Sequence, residues 1–185
     1  RIYSASYGYA ALKLDGTVAA WGSYLTDANV AVNFAAPAEL TSELTTSPVI
    51  QIYSTVNAFA ALKQDGAVVA FGDAAAGGLA PEGLTNVARI CSTMKAFAAL
   101  KTDGTVVTFG TVEGSVPTGL TSVVRLYSTG DAFAVLKLDG TVIAFGSSTS
   151  GGLAPEGLAN VRSVYSNPFA FVALKFDGSV VAWGD

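Results

Sequence analysis

Histidine is absent from the 185-residue sequence, and cysteine and methionine occur once each. These absences exclude a Ser-His-Asp triad, a Cys-His dyad and the multi-His or multi-Cys sites that hold zinc. The lone Cys91 has no partner for an internal disulfide and stands where other repeats carry Tyr, as a half-buried apolar position does. Charge is scarce as well: 13% of the residues are charged and 51% are hydrophobic, about half the charged share of an ordinary soluble domain. The net charge of -4 argues against nucleic acid, whose binding draws mainly on Lys and Arg neutralising phosphates. No apolar run reaches the roughly 18 to 20 residues of a membrane-spanning helix, because a Lys and an Asp follow each short hydrophobic stretch. The expectation is a chain without catalytic residues, cofactor, metal or small-molecule ligand. Its length fits one domain over 1–185, and its opening at Arg1 reads as a segment of a longer product.

What is present is repetition. One phrase occurs five times, as Lys13-x-Asp15-Gly16, Lys63-x-Asp65-Gly66, Lys101-x-Asp103-Gly104, Lys137-x-Asp139-Gly140 and Lys175-x-Asp177-Gly178. The steps between its glycines are 50, 38, 36 and 38 residues. Each copy opens near an aromatic-Ser pair such as Tyr53-Ser54 or Tyr127-Ser128, with Cys91-Ser92 as the variant. Each closes on an aromatic-Gly pair: Trp21-Gly22, Phe71-Gly72, Phe109-Gly110, Phe145-Gly146 and Trp183-Gly184. The units run roughly 1–49, 50–87, 88–123, 124–161 and 162–185, with an insertion over 23–49 in the first. That insertion lacks a second strong strand pattern and is expected to be the most mobile or most partner-specific segment.

The fourth copy shows the local physics. Two apolar runs flank Asp139-Gly140, a hairpin signal that predicts a two-residue type I′ turn with both central residues at positive φ. In that register Leu138 faces Thr141, Leu136 faces Ile143 and Ala134 faces Phe145, with Val135 and Ala144 on the other side. Both faces are apolar and need cover, and Val124–Tyr127 supplies a third strand. Connectors such as Gly77-Gly78-Leu79-Ala80-Pro81 leave little room for helices. The fold class is all-β: five tandem three-stranded antiparallel units, propeller-like or, alternatively, an open stacked array.

The text of each unit reads Val-x-x-Tyr-Ser-Thr, then Ala-Phe-Ala-x-Leu-Lys-x-Asp-Gly-Thr-Val-x-x-Phe/Trp-Gly, then Gly-Gly-Leu-x-Pro-x-Gly-Leu-x-Asn-Val. It resembles the short bacterial form of the regulator-of-chromosome-condensation repeat. The resemblance covers nearly the whole chain and implies a β-propeller. A bacterial β-lactamase inhibitor of this kind is similar in its three-stranded blades, which implies a protein-binding role. Tyr127-Ser128-Thr129 and Phe133 depart from the usual Ala-Gly pair and His of such repeats. The chromatin and nucleotide-exchange roles of eukaryotic relatives are not implied, because their loop motifs are missing.

The residues that invite a chemical role have plainer ones. The ten turn residues Asp15, Gly16, Asp65, Gly66, Asp103, Gly104, Asp139, Gly140, Asp177 and Gly178 are devices of the fold, and the lysines beside them are exposed strand ends. Arg1, Arg89 and Arg125 share a register and read as solvated strand ends. The Ser and Thr after each Tyr bond to local backbone, and Glu82 and Glu156 sit in exposed Pro-Glu-Gly turns. The terminal units are as apolar as the middle ones, although the ends of a soluble repeat array need polar caps. Ala19, Trp21, Val181 and Trp183 on the terminal hairpins are therefore the candidate interface residues, with core packing the plainer role for the two Trp. The sequence points to a non-enzymatic structural protein whose partners are copies of itself, in a shell, sheet or filament. The alternative is a monomeric binding module or inhibitor that presents loops to a protein.

Overall fold

A computed structural model of the chain describes residues 1–25, 31–42 and 47–185. It is all-β. The strands are β1 (Ile2–Ser4), β2 (Gly8–Leu12), β3 (Val18–Leu25) and β4 (Ala31–Asn33), followed by a single helical turn, α1 (Ala38–Thr41). Four further sets of three come next: β5 (Val49–Ser54), β6 (Ala58–Lys63) and β7 (Val68–Gly72); then β8 (Val87–Ser92), β9 (Ala96–Lys101) and β10 (Val106–Gly110). The last two sets are β11 (Val123–Ser128), β12 (Ala132–Lys137) and β13 (Val142–Gly146), and β14 (Val161–Ser166), β15 (Ala170–Lys175) and β16 (Val180–Gly184). Each set forms its own antiparallel meander, with the central strand hydrogen-bonded on both sides. No helix among the described residues is long and apolar enough to cross a membrane.

The central strands carry the repeated Ala-Phe-Ala-x-Leu-Lys text, and β6, β9 and β12 are buried from their first residue to the Leu. A strand apolar on both faces is stable only when both are covered, and in these three they are.

The chain divides into two compact units. One comprises 1–87 with 95–97 and 109–111; the other comprises 88–94, 98–108 and 112–185. In the first, Ala10 and Val18 share a core with Ile52, Phe59, Ala61 and Phe71. In the second, Ala132, Ala134, Leu136 and Val142 share one with Val164, Phe171, Ala173 and Trp183.

Two sequence expectations change. The hairpin register is one residue away from the type I′ pairing: Leu136 lies opposite Val142, Val135 opposite Ile143, Ala134 opposite Ala144 and Phe133 opposite Phe145. Asp139 keeps a negative φ, Gly140 takes φ +79°, and the Gly140 amide donates to the Lys137 carbonyl at 3.0 Å. This is a type I turn followed by a left-handed glycine, the three-residue hairpin loop. A slip of one residue turns the partner strand's side chains over, so Phe145 lies beside Phe133, tilted, at 5.5 Å between ring centres.

The second change is the strand content of the insertion. Its residues 26–30 and 43–46 lie outside the described residues. The rest is structured: β3 runs on to Leu25 and pairs with β4, which makes the first sheet four-stranded. Phe34 and Leu40 from this segment are fully buried in the first unit's core, with Phe34 edge-on to Phe59 at 5.7 Å.

Candidate binding surface

The Asp Oδ1 of each Lys-x-Asp-Gly turn bonds within its own turn. In four of them the Asp Oδ1 accepts both the amide and the hydroxyl of the residue after Gly: Thr17 for Asp15, Thr105 for Asp103, Thr141 for Asp139 and Ser179 for Asp177. Asp65 accepts the Ala67 amide at 3.0 Å, and Ala67 has no hydroxyl to add a second bond. The glycine carbonyls act outward. Those of Gly16, Gly66, Gly104 and Gly140 accept the amides of Val49, Val87, Val123 and Val161, the first residues of the next sheets. Each of these four turns thus ties one sheet to its successor, and its carboxylate is committed to local hydrogen bonds. Lys101 and Lys137, half-buried rather than exposed, reach the exposed Asp103 and Asp139 at 3.7 and 3.9 Å, partly solvated contacts of small energetic weight. Among the described residues no cluster of His, Cys, Asp or Glu is placed to hold a metal ion.

These bonds favour the ionised carboxylate. The Thr17 amide, seconded by its hydroxyl, holds Asp15 below the usual carboxylate range. The hydroxyls of Thr105, Thr141 and Ser179, seconded by the amides, do the same for Asp103, Asp139 and Asp177. A group whose pKa is depressed by folding stabilises the fold above its unfolded pKa and loses that contribution as pH falls through the folded one. The melting temperature is expected to drop between about pH 5 and about pH 2, and to drop less steeply when Thr105 and Thr141 are both replaced by Val. Equal acid slopes for the two proteins would show that the hydroxyl bonds do not contribute.

Two opposite faces of the sheets behave differently. In the second unit the face of β11–β13 bearing Ala132, Ala134, Leu136 and Val142 is set against the face of β14–β16 bearing Val164, Phe171, Ala173 and Trp183. The first unit repeats this contact, with Ala10, Leu12, Val18 and Ala20 of the first sheet set against Ile52, Phe59, Ala61 and Phe71 of the second. Both contacts join a small-residue face, the socket, to an aromatic face, the plug.

Among the described residues, the first and last sheets each carry one face with exposed large side chains. On the first it is the plug: Tyr9 and Trp21 stack on each other at 5.8 Å and are each 48% exposed, with Ile2 also exposed. The residues at Tyr9's position in the other sheets, Phe59, Phe97, Phe133 and Phe171, are all buried. On the last sheet it is the socket: Val180 is 60% exposed and Ala182 is exposed, whereas Val68 and Val142 at Val180's position are buried.

No family model and no curated protein matches the sequence. Solved structures do match. Yeast RCC1 (Prp20), in its complex with Kap60, aligns with a TM-score of 0.61 at 15% identity over 100% of this chain and 55% of its own. Prp20p from Saccharomyces cerevisiae gives 0.60 at 17% identity over 100% and 57%. The CRINKLY WD40 ectodomain of the Arabidopsis thaliana receptor kinase ACR4 gives 0.61 at 15% over 99% and 67%. The fold is propeller-like. This chain spans little more than half the length of the two yeast structures it matches.

The sheets are therefore blades, and the candidate interface residues fall on two different sides of them. Ala19 and Trp21 lie on the uncovered plug of the first blade. Trp183 instead is buried, its Nε1 donating to the Gly151 carbonyl at 2.9 Å, and Val181 packs beside it against the preceding blade. The reason is alternation: one repeat position faces the same way in every blade, so the two ends expose different positions. Tyr9 on the plug and Val180 and Ala182 on the socket, which the sequence does not single out, are exposed. Cys91 is half-buried, its Sγ 3.6 Å from the Leu126 carbonyl, and burial pushes its thiol pKa up to about 11. Arg1, Arg89, Arg125, Glu82 and Glu156 are exposed. Thr55 and Thr129 are buried and donate to the Ala76 and Ser150 carbonyls, which latches hairpin to connector.

Proposed function

We propose that this is a non-enzymatic structural repeat protein whose copies associate into a larger assembly. The observation that carries the reading is the stacked Tyr9–Trp21 pair, exposed at positions whose equivalents in the other blades are buried. Covering a large apolar side chain is worth about 1.5–3 kcal/mol, and the low charge of the chain does little to hold copies apart. The yeast propeller solved in complex with Kap60 is a precedent for a fold of this kind contacting protein.

A second reading, a monomeric binding module, draws on Leu79 and Leu153. They occupy equivalent places in two connectors and are each 72% exposed, so the loops offer apolar tips. Light scattering behind size-exclusion chromatography over a hundred-fold dilution separates the two. Self-association gives a mass above one chain that falls on dilution; a single-chain mass throughout favours the loop-binding module.

A further inference from the structure

We infer that the groove between the fourth and fifth blades, at the end that carries the Lys-x-Asp-Gly turns, binds an acidic peptide segment of another protein. Carboxylates of that segment sit on Arg125 and Arg162, and an apolar side chain of it lies against Leu138 and Phe176. The site is separate from the plug and the socket, and it does not depend on whether copies associate.

The groove, of about 290 Å³, takes Arg125, Lys137 and Leu138 from the fourth blade and Arg162 and Phe176 from the fifth, with Asp139 on its wall. Three cationic side chains thus face it against one carboxylate, although the whole chain carries a net charge of -4. The one carboxylate is already engaged: Asp139 accepts the amide and hydroxyl of Thr141 and lies 3.9 Å from Lys137. Arg125 and Arg162 are exposed, and among the described residues neither makes an ion pair. Two guanidinium groups are therefore left on one groove without a counter-charge.

The arginine doublet is particular to this groove. The place of Arg125 is held by Arg1, Gln51, Arg89 and Ser163 in the other blades, and that of Arg162 by Ile50, Ala88 and Val124 in the second to fourth. A device of the fold recurs with the repeat, as the turn aspartates do, and this doublet does not. The apolar half of the site has the same character. Leu138 and Phe176 share one repeat position and are 78% and 73% exposed, while Gln64 and Thr102 hold that position in the second and third blades. The exposure thus belongs to the position, and the apolar residues there are not required by the turn.

Arg takes a carboxylate with two parallel hydrogen bonds, and an apolar side chain laid over Leu138 and Phe176 removes apolar surface from water. A small inorganic anion would satisfy the arginines and leave the apolar tips bare. Nucleic acid fits less well, because its affinity grows with the number of phosphates neutralised, and the second unit carries six cationic side chains against seven acidic ones. All six cations stand at the turn end of the blades, whereas Asp131 and Asp185 stand at the opposite end, so an acidic segment is drawn to the end where the groove lies.

Fluorescence anisotropy on the full chain tests this, with a short fluorescein-labelled peptide that has Glu residues on either side of a Leu-Leu pair. Arg125→Gln and Arg162→Gln are each expected to weaken its binding about ten-fold, and Arg89→Gln, at the position of Arg125 one blade back, less than about two-fold. Phe176→Ser is expected to weaken the same peptide about five-fold and to leave unchanged the weaker binding of a companion with Ser-Ser in place of Leu-Leu. These sites are exposed, and each variant is expected to keep the melting temperature of the parent. Arg125→Lys and Arg162→Lys, which keep the charge and lose the two-pronged contact, stand in for a Gln variant that fails to fold, with a loss of about three-fold expected. Absence of saturable binding overturns the proposal. So does equal weakening by all three Gln variants, which would mark a diffuse effect of charge, and so does tighter binding of labelled oligodeoxythymidine than of the peptide. None of these results bears on self-association, which light scattering reads separately.

Discussion

Replacing Gly146 with Ala is expected to cost about 2–5 kcal/mol, the sum of backbone strain and overpacking, and to leave the second unit at the edge of unfolding. Gly146 has φ +117°, and a Cβ there falls 2.5 Å from the Asp131 carbonyl oxygen and 2.6 Å from the Ala132 Cα. Both obstacles are backbone, and Ala132 is itself fully buried, so neither can yield without moving the central strand. The amide that follows Gly146, on Ser147, donates to the same Asp131 carbonyl at 2.9 Å, and that bond would be displaced too. Gly157 is the control. It also has a left-handed φ, +71°, but a Cβ there meets nothing within 4 Å, so Gly157→Ala is expected to cost only about 1–2 kcal/mol of conformational strain. Urea denaturation of the two variants reads the difference, and equal losses would show that close approach of the backbone is not what the position requires.

This accounts for the glycine in every closing aromatic-Gly pair. Gly22, Gly72, Gly110 and Gly184 repeat the positive φ and the contact with the backbone entering the central strand. The pair was visible in the sequence as a marker of repeat ends; its reason was not, because the obstructing carbonyl lies some 15 residues away in the chain.

Much of the fold was legible for the same reason that it is simple. Alternating apolar residues on either side of Asp-Gly five times over admit few arrangements other than stacked antiparallel units. The register was misjudged because Asp-Gly reads as a type I′ signal on its own. The Thr or Ser that follows Gly in four turns holds the Asp in its cap with a hydroxyl bond of 2.6 or 2.7 Å, and such a capped Asp has no need of a left-handed backbone. Phe34 was missed because the insertion has no counterpart among the other repeats, so nothing in the text marks one of its aromatics as core. The ends were half legible. Their apolar character shows in composition, but which face each end leaves open depends on the direction in which blades pack, and that direction appears only in the contacts of Phe59 and Phe171 with the blades before them.

One repeat position accordingly carries two different costs. Phe133 is 1% exposed and Tyr9 48%, although both occupy the second residue of a central strand. Phe133→Ala removes a ring packed on all sides, and the expected loss is about 3–5 kcal/mol, a large part of the stability of a domain this size. Tyr9→Ala removes a ring whose outer side is exposed among the described residues. Measured at concentrations too low for association, it is expected to cost less than about 1 kcal/mol, since surface changes away from caps and cores are usually small. At high concentration the order reverses: Tyr9→Ala is expected to abolish the concentration-dependent gain in mass, while Phe133→Ala, where it still folds, retains it. A Tyr9→Ala protein that melts as far below the parent as Phe133→Ala would mean that the plug is already covered within one chain, and the first blade would then have no face to offer a partner.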